Sequence, residues 1–386
     1  MNPILIKNAT VYAEKETLSK GYLYINDGRI VGIFSHEPKN IPENTQVIDG
    51  TKLHLIPGFI DGHIHGGYGS DVMDATPEAL EKMASHLPLE GTTSFLPTTI
   101  TQSKKSIEKA LINIESYQNK PGHAEIIGIH LEGPFVEKKR KGAQPEQYIM
   151  KPDLALFQKW QLLSGNMIKT ITMAPEHDEK GEFIKALSQS GVNVSAGHTD
   201  VGFEGMKKAA SQGVRQVTHL CNAMTGIHHR DIGAVGAAFQ LKELSAELIS
   251  DGIHVVPEMM QLIFQTIGSE RLIIITDSMR AKGLEPGEYE LGGQPVVVTE
   301  DRALLPNGTL AGSVLKMNEA ARVMLQLDGV EIRDIIQMAS VNPAKQIGIY
   351  DRKGSLSIGK DADMLLVNDQ MKIHYTICRG VIANKG

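Results

Sequence analysis

The 386-residue chain has only two cysteines, Cys221 and Cys378, too few for a disulfide framework, so a reducing compartment is expected. It lacks an excess of positive charge: a formal net charge of -6 and a pI near 6.2 leave no electrostatic footprint for nucleic acid. No apolar run approaches the roughly 18 to 20 residues that span a bilayer. Met1 to Thr10 also lacks the charged start and long apolar core of a secretory leader. A cytoplasmic protein with no nucleic-acid and no membrane partner is expected. Low-complexity tracts and solenoid-type repeats are absent too. The one basic run, Lys138-Lys139-Arg140-Lys141, admits two readings, a solvated loop or a contact for an anionic substrate.

What is present is enough apolar residue, 41% of the chain, to bury a large core and a smaller one beside it. From Pro3 to Ile56 the pattern is short and alternating, with turn signals at Asn26-Asp27-Gly28 and Asp49-Gly50, which reads as a small antiparallel β unit. Beyond His65, strand-like runs alternate with segments of helical period, the order of a parallel sheet with crossover helices. Eight such runs are legible: Leu53 to His65, Thr92 to Thr98, Ile126 to Glu132, Ile168 to Ala174, Val192 to His198, Gln216 to Asn222, Glu247 to His254 and Arg271 to Asp277. Eight closes a (β/α)8 barrel.

Thr76-Pro77-Glu78 starts one helix with a cap and an N1 proline, and Ser103 to Gln118 carries another, stopped by Lys120-Pro121-Gly122. After the eighth run, Glu288 to Leu305 reads as a hairpin-like excursion, and Ser313 to Gln326 and Ile332 to Met338 as helices. Strand and turn signals return around Gly359-Lys360-Asp361-Ala362-Asp363 and Met364-Leu365-Leu366-Val367. The division expected is α/β: residues 1–55 and 348–386 together form a small β domain, a β-sandwich beside the barrel of residues 56–347.

Chemistry first surfaces at Gly58-Phe59-Ile60-Asp61-Gly62-His63-Ile64-His65, where an apolar run ends in two imidazoles two residues apart. In a strand, residues i and i+2 share a face, so His63 and His65 can reach one metal ion. Glu132, His198, His219, His254 and Asp277 each close a later run. In a barrel all these carboxyl ends emerge at one mouth. Imidazoles with carboxylates suit zinc, iron, manganese or cobalt, in one or two sites per subunit, with Glu132 placed to touch both. Such a site activates water and polarises a carbonyl while a nearby carboxylate moves protons, so hydrolysis of an amide-type bond follows. Cys221, two residues past His219, is either a buried thiol or a further ligand. Asp277 has a structural alternative as a helix N-cap.

The Pro57-to-His65 motif with a downstream Glu, two His and an Asp resembles the amidohydrolase superfamily. His130-Leu131-Glu132-Gly133-Pro134-Phe135, Gly197-His198-Thr199, His219-Leu220-Cys221-Asn222-Ala223-Met224, Asp251-Gly252-Ile253-His254, Thr276-Asp277-Ser278-Met279 and Leu310-Ala311-Gly312-Ser313 resemble, more narrowly, its N-acetylglucosamine-6-phosphate deacetylase family. The resemblance covers nearly the whole chain. It implies a metal-dependent homodimer that hydrolyses the acetamide of a small phosphorylated amino sugar, N-acetylglucosamine-6-phosphate, to glucosamine-6-phosphate and acetate.

It also implies that Glu132, His198 and His219 hold a principal metal, His63 and His65 a second, and that Asp277 shuttles the proton. Asn222, the backbone at Ala223, Arg230, His254 and Leu310 would hold substrate. Taken alone, Arg230 reads equally as an exposed partner of Asp231. Many family members have His after Lys-Gly-Ala, whereas Lys141-Gly142-Ala143 is followed here by Gln144. The expectation is that Gln144 bonds the sugar and that the His63/His65 metal activates the carbonyl. The alternatives weighed are another amidohydrolase acting on a cyclic amide, as a dihydropyrimidinase or hydantoinase does, and a non-catalytic scaffold.

Overall fold

Strands from both ends of the chain pair in one sheet, each presenting a one-sided apolar face that the others cover. The computed structural model describes residues 2–386; Met1, with which the expected small β part begins, lies outside the described residues. In Thr17–Asn26 the buried Gly21, Leu23 and Ile25 alternate with partly exposed neighbours, the period-two pattern of a half-buried strand. The sheet runs Val381–Lys385, Ile373–Cys378, Met364–Val367, His54–Pro57, Ile4–Tyr12, Thr17–Asn26, Arg29–Phe34, with Gln46–Asp49 pairing on Ile4–Tyr12. Leu23, Ile25, Leu55, Met364 and Leu366 share its core.

The second sheet is built from strands with no solvated face. Every residue of Thr92–Thr99, Asn193–Ala196 and Leu272–Ile275 is buried, as parallel strands need when helices cover one side and packed side chains fill the other. Phe59–Ile64, Thr92–Thr99, Ile129–Glu132, Ile168–Met173, Asn193–Ala196, Val214–Val217, Ser245–Ile249 and Leu272–Ile275 pair in parallel in that order. A parallel bridge between Ile64 and Ser278, with the Asp277 N–H donating to the His63 carbonyl at 2.8 Å, closes the ring. This is the (β/α)8 barrel with a separate sheet from both chain ends that the sequence led us to expect.

Helix starts follow local chemistry. The Thr76 hydroxyl accepts from the Ala79 N–H and Pro77 opens Pro77–His86, while Ser103 accepts from the Ser106 N–H to start Lys104–Ser116. A buried ionic cluster joins the tail to the barrel. Lys353 Nζ lies 2.7 Å from Glu125 Oε2, which sits beside the second barrel strand, and also meets Asp361 and Asp363 at the entry to Met364–Val367.

Three expectations need correction. Leu53 to His65 is not one strand: His54–Pro57 pairs in the small sheet and Phe59–Ile64 in the barrel. The chain crosses at Pro57-Gly58, where a Cβ on Gly58 would meet the Thr93 hydroxyl at 2.2 Å, an approach only glycine permits. The helix expected from Ser313 to Gln326 is Met317–Met324, because Ser313 is held to the barrel mouth by its N–H on the Asp277 carbonyl at 2.8 Å. The helix expected over Ile332 to Met338 is there but runs further, Ile332–Ile336 continuing through one wide π turn, Gln337–Val341, into Asn342–Gln346. The excursion after the eighth strand is a three-stranded antiparallel sheet of Gly287–Leu291, Gln294–Val298 and Ala303–Leu304.

Candidate metal centre

Three of the expected residues reach the barrel axis by the same backbone device. His198, His219 and Asp277 each lie two positions past the end of a barrel strand, with φ of 47°, 32° and 48°. Left-handed backbone is costly for residues with a Cβ and is held only where surrounding contacts enforce it, a pattern concentrated at functional sites. Glu132 ends its own strand and His63 lies inside the first. No helix begins at Asp277, so the N-cap alternative is set aside. His254 departs from expectation, lying beyond Ser245–Ile249 in the following loop.

The side chains converge. Glu132 Oε1 lies 3.1 Å from His198 Nε2, 3.2 Å from His219 Nε2 and 3.5 Å from His63 Nε2, while Oε2 is 3.3 Å from His65 Nε2. Asp277 Oδ1 faces His65 Nε2 at 3.2 Å and His63 Nε2 at 3.4 Å. Two groups able to hold a cation result, one of His63, His65 and Asp277, the other of Glu132, His198 and His219. Cys221 belongs to neither group, and burial pushes its thiol up to about 11.

The ring nitrogens that face away from this centre fix the ones that face it. His198 Nδ1 is 2.9 Å from the Arg140 carbonyl, His65 Nδ1 3.2 Å from the Thr98 carbonyl, and His63 Nδ1 3.0 Å from Glu247 Oε2. A carbonyl only accepts, so Nδ1 of His198 and His65 carries hydrogen and Nε2 turns a lone pair inward. The Nε2 atoms of His198 and His219 are 3.2 Å apart, a contact that bare lone pairs make repulsive unless a cation or proton intervenes. His63 Nε2 and Asp277 Oδ1 are buried and make no hydrogen bond. Unsatisfied buried donors and acceptors are rare and call for an explanation. A divalent cation bound by imidazole nitrogen and carboxylate oxygen supplies one, so the residues fit a metal.

Electrostatics agree with that fit. Burial opposes a charged His63, yet Asp277, Glu132 and Glu247 outweigh it and hold the imidazole up at about 9. Burial also works against the Asp277 carboxylate and is outweighed by His63 and His65, which hold it down at about 2. The negative charges that favour a proton here favour a metal ion in its place.

A cleft of about 350 Å³ opens above these groups, lined among others by His65, Glu132, Gln144, His198, His219, Asn222, Ala223, His254, Asp277 and Leu310. The loop over it alternates left-handed positions at His219, Cys221 and Ala223, which curls its backbone around the opening. His254 Nδ1 is 2.6 Å from Asp251 Oδ2, an anchor that fixes the ring. Gln144 is buried with both amide ends used: its Oε1 accepts from the Thr101 N–H at 2.8 Å and its Nε2 donates to Glu132 Oε2 at 2.6 Å. Gln144, expected to bond the sugar, lines the cleft, and within the chain its amide is oriented by Thr101 and Glu132.

Arg230 is not among the cleft residues. It is exposed in a separate recess with His229 and Gly202, its Nη1 2.6 Å from His229 Nε2. Nor does it pair with Asp231, whose Oδ1 accepts from the Gly233 N–H at 2.9 Å. The basic run is solvated at Lys138 and Lys139 and reaches the cleft rim. Lys139 and Arg140 line the cleft and face Asp200, with Arg140 Nε 2.9 Å from its Oδ1. Sequence reasoning missed Glu247. The available signal was an acidic residue in the middle of an otherwise apolar strand, Ser245-Ala246-Glu247-Leu248-Ile249.

Comparison with known proteins places these observations in a lineage. Residues 54–383 match the amidohydrolase family. The chain is 48% identical over 384 residues to the N-acetylglucosamine-6-phosphate deacetylase of Bacillus subtilis (strain 168), covering 98% of this chain and 97% of that one. It is 42% identical over 380 residues to that of Lysinibacillus sphaericus, covering 98% and 97%. The crystal structure of N-acetylglucosamine-6-phosphate deacetylase from Pasteurella multocida superposes with a TM-score of 0.92 at 29% identity, over 100% of both chains.

Proposed function

The chain belongs to the amidohydrolase family, and on that footing we propose that it hydrolyses the acetamide of N-acetylglucosamine-6-phosphate to glucosamine-6-phosphate and acetate. The observation that carries the reading is the Asp277 carboxylate, its charge favoured by His63 and His65 against burial and its oxygen aimed at the same Nε2 atoms as Glu132 across one pocket fit for a cation. Glu132, His198 and His219 would hold one divalent ion, and His63 and His65 with Asp277 a second; zinc or iron suits the donors, and manganese or cobalt fits the same set. Bound there, such an ion supplies Lewis acidity that polarises the acetamide carbonyl and lowers the pKa of water.

The protein's own part is proton transfer and positioning. Asp277 takes a proton from the water that adds to the carbonyl carbon and gives it to the amine nitrogen as the C–N bond breaks, so the sugar leaves as an amine. His198 and His65 keep their Nε2 lone pairs inward through the Arg140 and Thr98 carbonyls. Gln144 holds Glu132 in place by donating to its Oε2. Asn222, the backbone at Ala223, Leu310 and His254 hold the sugar and its phosphate, and the cations of Lys139 and Arg140 at the cleft favour an anionic substrate. The reading includes a cytoplasmic homodimer. Arg230 lies outside the cleft of its own chain, where a partner subunit would give it a use.

The test measures acetate release from N-acetylglucosamine-6-phosphate and from unphosphorylated N-acetylglucosamine, with wild type and Asp277→Asn. Faster turnover of the phosphorylated sugar and a loss of about 10²- to 10⁴-fold in the variant are expected. Equal rates on the two sugars would overturn the phosphate assignment, and an active Asp277→Asn enzyme the proton-shuttle assignment.

A further inference from the structure

Beneath the inward-facing nitrogens runs a file of side chains, buried except for the partly exposed Gln346 at its outer end, in which every amide orientation is dictated by its neighbour. Gln346 Nε2 donates to Asn193 Oδ1 at 2.7 Å, Asn193 Nδ2 to Gln216 Oε1 at 3.0 Å, and Gln216 Nε2 to Glu247 Oε1 at 2.5 Å. Turning the Gln216 amide over would set its oxygen against a carboxylate, so the charged end of the file imposes the direction on the rest. Glu247 Oε2 accepts the His219 backbone N–H at 3.3 Å and faces His63 Nδ1 at 3.0 Å. His63 is fully buried and Glu247 is 1% exposed, so no water competes for these contacts.

We propose that Glu247 is the positioning residue of the second cation position. Held by Gln216 and by the His219 amide, the carboxylate can only accept from His63, which keeps hydrogen on Nδ1 and commits Nε2, facing Asp277 and Glu132, to whatever cation lies between them. This accounts for the buried His63 Nε2 that makes no hydrogen bond. One carboxylate thereby ties together a histidine from each ligand group, His63 through its ring and His219 through its backbone. Outer partners of this kind set ligand tautomer and orientation, and their loss weakens metal binding by roughly 10- to 100-fold. The inference rests on the two-position reading above.

The experiment strips wild type, Glu247→Gln and the exchange variant Glu247→Gln/Gln216→Glu with chelator, then titrates each with zinc ion. It reads ions bound per subunit, the affinity of each step by chelator competition, and the melting temperature of the metal-free forms. In Glu247→Gln the carboxamide has one acceptor and one donor to set against His63 and Gln216, so the second ion should bind roughly 10- to 100-fold more weakly. The exchange variant restores an acceptor toward His63 and a carboxylate for the Asn193 amide, and recovers the second ion. A merely structural Glu247 would move the melting temperatures without this loss and recovery. Wild type with two ions and a Glu247→Gln variant of equal affinity overturns the inference alone; wild type holding one ion overturns the two-position reading together with it. Should the single variant not fold, the exchange variant decides, by keeping or losing the second ion.

Discussion

Asp61 and Thr276 fasten the seam at which the barrel closes. Asp61 Oδ2 accepts the Thr276 hydroxyl at 2.6 Å, and Oδ1 accepts the Thr276 and His63 N–H groups, each at 3.3 Å. Thr276 precedes Asp277, so one buried carboxylate sets the spacing between Asp277 and the first imidazole pair.

Thr276→Val keeps the shape and removes the hydroxyl. Leaving part of a buried carboxylate unpaired costs about 1–3 kcal/mol, more for a charged group, so the melting temperature should fall. If the seam positions the shuttle, kcat should fall more than KM rises. An unchanged kcat at a lowered melting temperature would confine Thr276 to a structural role.

Gln144→Leu removes the donor to Glu132 Oε2 and the acceptor for the Thr101 N–H at once. Weaker binding of the ion proposed for Glu132, His198 and His219 is expected, with a stability loss of about 1–3 kcal/mol for the orphaned buried groups. Metal titration of the stripped protein reads the first effect and thermal unfolding the second. If Gln144 instead bonds only the sugar, KM rises and metal affinity stays as it was.

Arg140→Ala leaves the backbone carbonyl under His198 in place and removes only the side chain at the cleft. Because that guanidinium is partly exposed and shared with Asp200, the effect is modest: KM for the phosphorylated sugar should rise by about three- to tenfold. Turnover of the unphosphorylated sugar should be unaffected. A matching rise for both sugars would remove Arg140 from phosphate binding.

The tail cluster sets an acid limit on stability. Burial opposes the Glu125 carboxylate but Lys353 and Arg352 outweigh it, holding it down at about 2 from an ordinary 4.5. A depressed folded-state pKa contributes stability above the unfolded value and loses it as pH falls toward the folded one, here between about 4.5 and 2. The contribution is about 3 kcal/mol at neutral pH. Lys353→Met leaves Glu125, Asp361 and Asp363 without their buried cation and should cost about 3–5 kcal/mol near pH 7. The gap from wild type should narrow as pH falls below 4.5, where the freed carboxylates take up protons. Melting temperatures at fixed scan rate from pH 7 down to about pH 2.5 test this, and a gap that stays constant across that window would refute it.

Much of the centre was legible because strand-end chemistry is local. His63, His65, Glu132, His198, His219 and Asp277 stand where apolar runs stop, and a barrel brings such ends together whatever separates them in sequence. The eight runs were found for the same reason, since buried parallel strands are continuous apolar stretches. Misplaced were features fixed by long-range contact. The break at Gly58 answers to Thr93, and Ser313 is held by Asp277. Arg230 carries no local sign of which recess it occupies. Glu247 looked like one more strand residue, because a period-two pattern does not tell which inward position meets a histidine from another strand.

The strand His54–Pro57 has Ile4–Tyr12 on one side and Met364–Val367 on the other. During synthesis its second neighbour leaves the ribosome only some three hundred residues later. Until then the nascent chain carries a naked apolar edge, the kind of template on which chains stick to one another. Products cut short before Met364 are therefore candidates for aggregation even with every residue of the candidate metal centre already made.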